Sequence, residues 1–394
     1  MKVGSFIVSS LIVTQQLLLW HSSQKFKHPP QASIKRHFRA TVLPRYSLAI
    51  LISPLLLVFG FDIGVAFLLP NAPSSTPKAR DQDSAALTEP APVKLPALLP
   101  SERQLGIAWP TVLLTLTSAT LHLSTLYLVA ANHLRPAYAV MLCTFTTFCS
   151  FTPMHDAVHG AIAPRHRWLN DLLGTLASAP FFFFFQTFKV LHLAHHRHAN
   201  TDAASDPDHW AGEGPVALLP FRWATVFFWY NTCVMRKVVE RSVAGEAISS
   251  PWEVAWRETR VFPAVFVTVM WWKFEMLAVT LWLLPFLLGA SWLMYVFDYV
   301  PHRPHLVPHQ ENPYLATNVT THLHPSLPSG HMSLFLLYQN YHNIHHLYPF
   351  LPFYRYETVW HRLRNELLKR GTRELPFFLL PGREAYLHEL KQKP

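Results

Sequence analysis

At 394 residues and 50% hydrophobic side chains, the chain is large enough to bury a core or to cross a bilayer. Its formal charge of +10 is concentrated at one end. Lys2, Lys25, Lys27, Lys35, Arg36, Arg39 and Arg45 all precede the first acid, Asp62, so the basic excess argues against a nucleic-acid partner. Cys143, Cys149 and Cys233 form no CxxC, which argues against a disulfide framework and a thiolate metal site.

In chain order, residues 3–20 are a short apolar run behind Lys2 and read as a signal-like segment. His21 to Arg45 is basic and acid-free, like a transit peptide, and Ser47 to Leu69 is apolar and long enough to span. Residues 1–69 are therefore expected to be a leader for import into a plastid. Residues 70–103, rich in Pro and Ala, are expected to be a linker, and residues 104–394 the catalytic domain.

Four apolar segments follow as expected crossings: Ile107 to Ala130, Pro136 to Met154, Val261 to Trp272 and Met276 to Phe297. Trp168 to Val190, with its phenylalanine run, is expected to lie at the interface, because a crossing there would put its flanking histidine clusters on opposite sides. Arg165, Arg167, Lys189, Arg197, Arg222, Arg236 and Lys237 share that side, which points to a cytosolic or stromal face.

Histidines cluster at the ends of these segments. His155 and His159 lie at i, i+4. His192, His195 and His196, and again His342, His345 and His346, lie at i, i+3, i+4, a spacing that gathers imidazoles on one helix face. Eight ligands exceed what one zinc takes, so two metal ions are expected. Neutral nitrogen donors without thiolate suit redox-active iron. Asp156, Asp206 and Asp208 stand close enough in sequence to orient a ligand histidine, with Asp156 and Asp208 the favoured candidates, and His198 is a weaker candidate for the same task. His305, His309, His322, His324 and His331 read as surface loop residues.

HDAVHG, HLAHHRHANTDAASDPDHW, FDYVPHRP and QNYHNIHHLYPFLPFYRY together resemble the membrane fatty-acid-desaturase and hydroxylase superfamily, over about Gln104 to Arg370. Within it they look most like the desaturase-type β-carotene 3-hydroxylase branch. The resemblance implies an all-α integral membrane protein with four transmembrane helices and a helical cap that holds a histidine-rich di-iron site. It implies a non-haem di-iron monooxygenase that uses O2 and electrons from ferredoxin or a similar carrier to hydroxylate a carotenoid ionone ring, as in zeaxanthin formation. It also implies His302 as a ninth ligand. Asp298 stands where related desaturases carry an asparagine, leaving open whether it holds water or approaches iron directly. The implied location is a plastid membrane, thylakoid or envelope, with the metal face stromal.

The nearest rival is a β-carotene ketolase, followed by a fatty-acyl lipid desaturase or hydroxylase. A histidine-rich metal transporter is the rival outside enzymes; its ligands would be expected near the bilayer midplane rather than at the ends of spans.

Overall fold

In the computed structural model, the described residues are 94–181, 184–245, 251–259, 277, 279–322 and 332–377. The chain divides into two units, Met1–Val93 and Lys94–Pro394, and every described residue belongs to the second. The expected leader and most of the expected linker lie outside the described residues.

Among the described residues, three helices are long and apolar enough to cross a membrane: α1 (Trp109–Ala130), α2 (Pro136–Val158) and the helix Thr280–His302. The fourth expected crossing, Val261 to Trp272, lies outside the described residues. Proline opens α1 and α2, where a missing N–H costs nothing.

The burial pattern of α1 is inverted relative to a helix in water. Thr111, Thr115, Ser118, His122 and Thr125 are buried at alternating spacings of four and three, while Leu113, Leu116, Leu123 and Tyr127 are exposed. In lipid the outer face must be apolar, and small or polar groups turn inward to a partner helix. Here the partner is α2: His122 Nδ1 is 2.7 Å from Thr146 Oγ1, and Ser150 Oγ donates to Ser118 Oγ at 3.2 Å. Thr115 and Thr125 satisfy their hydroxyls on carbonyls four residues back.

The expected interfacial stretch 168–190 is not one helix. It divides into α3 (Arg167–Ala177) and α4 (Phe185–His198), with Phe181 buried between them. Gly174 on α3 receives the Phe185 ring at the start of α4; a Cβ there would lie 2.6 Å from Phe185 Cδ2 and Cζ. Phe185 is 1% exposed and cannot swing into solvent. Gly174→Ala is therefore expected to destabilise the fold by about 1–3 kcal/mol, read as an earlier thermal unfolding of the purified protein.

The chain continues through α5 (Val226–Val243) and then α6 (Thr280–His302). α6 contains a π-helical stretch, Met294–Tyr299, just before its end. Such a turn re-aims the residues that follow it and recurs at functional sites. Beyond it lie α7 (His342–Leu347), α8 (Tyr356–Lys369) and a two-stranded parallel pair, β1 (Asn318–His322) with β2 (Arg373–Pro376).

Residues 94–102, upstream of the expected Gln104 boundary, already pack against the rest of the second unit. Leu98 is buried among Tyr348, Trp360 and Leu363, Tyr348 Oη donates to the Pro96 carbonyl at 2.7 Å, and Arg362 pairs with the buried carboxylate of Glu102. Pro-rich composition suggests a free linker, but Leu98, the Pro96 carbonyl and the Glu102 carboxylate dock it.

Candidate metal centre

The nine histidines singled out from sequence converge. His155, His159, His192, His196 and His345 form one group, and His195, His302, His342 and His346 a second; within each, one nitrogen per residue lies within 4.8 Å of all the others. Both HxxHH motifs are split between the groups. On α4, His192 and His196 face the first group and His195 the second, whereas on α7 His345 joins the first and His342 and His346 the second.

Contacts inside the first group run from Nε2 to Nε2: His155 to His345 at 2.9 Å, His345 to His196 at 2.7 Å, His196 to His192 at 3.1 Å, and His192 to His159 at 3.0 Å. In the second, His342 Nε2 stands 3.0 Å from both His302 Nε2 and His346 Nε2. Burial holds His192, His196, His342, His345 and His346 well below the ordinary imidazole range and pushes His159 down to about 3, with neighbouring imidazoles adding to the effect for most of them. Neutral rings are what a metal requires of histidine.

Tautomers can be assigned at two positions. His302 Nδ1 lies 3.2 Å from Asn200 Oδ1, an acceptor, so Nδ1 carries the proton and Nε2 presents a lone pair to the group. His195 Nδ1 donates to Asp206 Oδ1 at 2.9 Å, and its Nε2 is buried with no hydrogen-bond partner among the described residues. Burial would push His195 down, but the carboxylates of Asp206 and Asp208 overcome it and bring it up to about 9. A proton on that Nε2 would meet no acceptor; a metal ion in its place would take the lone pair and leave Nδ1–H on Asp206. Converging nitrogens, with one ring backed by a carboxylate and another by an amide oxygen, thus fit a metal.

Local structure explains how the carboxylate reaches the ring. α4 ends at His198, and Asn200 takes a left-handed φ of +64°, which asparagine tolerates. The chain then doubles back, so that Asp206 accepts from Asn200 N at 2.9 Å and Asp208 N at 3.0 Å as well as from His195. Asn200 donates its amide to the Val307 and Ala316 carbonyls. Asn200 was missed from sequence, and of the two acids in the DPD triplet the sequence favoured Asp208 over Asp206; only tertiary placement tells them apart.

Other expected supporting residues fall differently. Asp208 is 3.4 Å from His195 Nδ1 and takes its main hydrogen bond from Tyr230 Oη. Asp156 orients no histidine: it accepts from Thr111 Oγ1 at 2.9 Å and Phe353 N at 3.2 Å, tying α1 and the segment before α8 to α2. Asp298, in the π-helical stretch, is buried beside Asp208. His198 is half-buried and belongs to neither group.

His305 and His309, expected on a surface loop, instead pack against the site. The His305 ring stacks over His302 at 6.2 Å, and His309 lies 5.5 Å from His346. Burial pushes both down to about 4. The loop folds inward because His309 N donates to the Ala199 carbonyl at 3.0 Å and Gly212 leaves room for the His305 ring. The side chain of His322, and His324 and His331, lie outside the described residues.

Residues 131–378 match the fatty acid desaturase family. The chain is 28% identical over 266 residues to an sn-1 oleoyl-lipid 12-desaturase of Synechocystis, spanning 60% of this chain and 69% of that protein. It is 29% identical over 204 residues to a β-carotene ketolase of Paracoccus strain PC1, spanning 49% of this chain and 69% of that protein. With a β-carotene 4-ketolase of Protosiphon botryoides it shares 29% over 165 residues, spanning 39% of this chain and 33% of that protein.

Proposed function

Because the chain belongs to the fatty acid desaturase family, we propose that it is a membrane di-iron oxygenase acting on the ionone ring of a carotenoid, with hydroxylation at ring carbon 3 as its reaction. The observation that carries the oxidative reading is the pair of histidine groups, nine buried or half-buried imidazoles with nitrogens aimed at two common points. His155, His159, His192, His196 and His345 would hold one iron, and His195, His302, His342 and His346 the other. Iron there supplies the dioxygen activation that an unactivated C–H bond demands and that no side chain can provide.

The chain's own residues do the rest. Asp206 and Asn200 fix the two assigned rings, and Tyr356 Oη anchors His345 Nδ1 at 3.0 Å. Phe151 and Phe297 pack edge to face at 4.5 Å between the imidazoles and the span interior. Phe297 touches His155 and His342 at 4.8 and 4.7 Å, keeping water from the reacting face. Asp298, next to Asp208 and Tyr230, would hold water rather than metal. Electrons would come from ferredoxin or a similar carrier. The leader would direct residues 104–394 to a plastid membrane, where a fourth crossing between α5 and α6 would keep all clusters on the stromal face.

The relatives favour a second reading. The matches to β-carotene ketolases point to carbon 4, where oxygen inserted twice at one methylene, with loss of water, gives a ketone. Both readings begin with a hydroxylation of a ring methylene, at carbon 3 in the first and at carbon 4 in the second. Expression of the full chain in a β-carotene-accumulating bacterium with a ferredoxin system, followed by chromatography and mass spectrometry, separates them. The 3-hydroxy pigment is expected; a 4-keto pigment would move the assignment to the ketolase. Unchanged carotene from iron-loaded protein would refute both.

A further inference from the structure

Between α2 and α6 lies a cavity of about 350 Å³, lined among others by Met141, Thr144, Phe148, Leu288, Trp292 and Phe335, with no charged side chain. Met141 and Phe335 are 69% and 65% exposed. Because Met141 belongs to a membrane span, the mouth faces the place of acyl chains.

Two stretches lead from this cavity to the histidines, one along a helix and one that turns at Leu337 and Tyr338. On α2, Phe148 lines the cavity, Thr152 follows at i+4 and His155 at i+7; that is one helix face, rising about 10 Å. Across the way, Phe335 lines the cavity, Gln339 follows at i+4 and His342 at i+7. Gln339 Nε2 donates to Thr152 Oγ1 at 3.1 Å and ties the two stretches at their midpoints. Both residues are buried, and Gln339 Oε1 has no donor among the described residues. A buried acceptor left open in this way calls for a ligand or an ordered water.

We propose that this cavity is the lateral portal for the substrate. The reacting ring passes inward past Gln339 and Thr152 toward the Phe151–Phe297 pair, and the polyene next to it stays in the cavity. Gln339 and Thr152 are positioning residues along that path. The inference rests on the carotenoid reading above. The volume is at the small end of the roughly 300–1,000 Å³ of ligand pockets, enough for a segment of an apolar chain, so the remainder lies in the bilayer.

Thr144→Phe places a ring in the portal without touching the histidines. Leu113→Phe, at an exposed α1 position, controls for an added lipid-facing aromatic. Iron content, product formed, and β-carotene retained by protein purified from cells without electron donor are measured for each. Thr144→Phe is expected to keep its iron and to lose product and retained pigment by about tenfold or more, with Leu113→Phe close to the unmodified chain. Should Thr144→Phe fail to load iron, Val140→Phe, one turn away on the same lining, takes its place. Unchanged pigment retention and turnover in an iron-loaded portal variant would overturn the portal. An acyl lipid retained in place of carotene, and lost in Thr144→Phe, would support the portal while overturning the carotenoid as substrate.

Discussion

His345→Ala is expected to reduce product below detection and to lower the iron content of the purified protein to roughly half. His345 is fully buried, and its Nε2 lies 2.9 Å from His155 Nε2 and 2.7 Å from His196 Nε2. It is therefore the nitrogen through which α7 meets both α2 and α4. Alanine removes a donor for which burial leaves no substitute, since water entering the gap cannot also take over the Tyr356 hydroxyl that orients the ring. His198→Ala on α4 is the matched control: the same change in a residue that belongs to neither group, with iron and product expected near normal. Metal analysis beside pigment analysis checks both variants. Equal loss in the two would mean that the fold, and not the ligand set, had failed.

Asp206→Ala is expected to cost about 10–100-fold in iron affinity or turnover. One carboxylate receives His195 Nδ1–H and the backbone N–H groups of Asn200 and Asp208. Its removal strands three buried donors and frees the His195 ring to turn. It also loosens Asn200, whose Oδ1 accepts from His302, so both assigned rings of the second group lose their support together. Asp206→Asn retains an acceptor oxygen and is expected to fall between alanine and the unmodified chain. Asp208→Asn should cost less than Asp206→Ala, because Asp208 stands farther from His195 and takes its main hydrogen bond from Tyr230. Chelator competition on the purified protein orders the series; an Asp208 variant weaker than Asp206→Ala would reverse the two roles.

The spacing of the histidines was legible because i, i+3 and i+4 on a helix share a face whatever the rest of the chain does. The three described membrane helices were legible for a similar local reason, although the last one ends beyond the expected apolar run: α6 continues through a π-helical stretch to His302. Which group each histidine joins was not legible, since it depends on how α2, α4, α6 and α7 meet. The same holds for Asp206 against Asp208, two residues apart in sequence and both near His195: only the way the chain doubles back after Asn200 brings Asp206 nearer to the ring, at 2.9 Å against 3.4 Å. His305 and His309 were read as solvated because Pro-rich loops usually are. Nothing local announces that one backbone N–H to Ala199 and a missing Cβ at Gly212 draw that loop inward.

One residue inserted between His192 and His195 would turn the rest of α4 by about 100° and carry His195 and His196 away from the points they now face. The same insertion within His342–His346 would do likewise. In the connections between the motifs, where loops absorb added length, an extra residue need not change any facing at all. The reading frame of this centre is thus set by intervals of three and four residues, and the chain can lengthen between its motifs far more freely than within them.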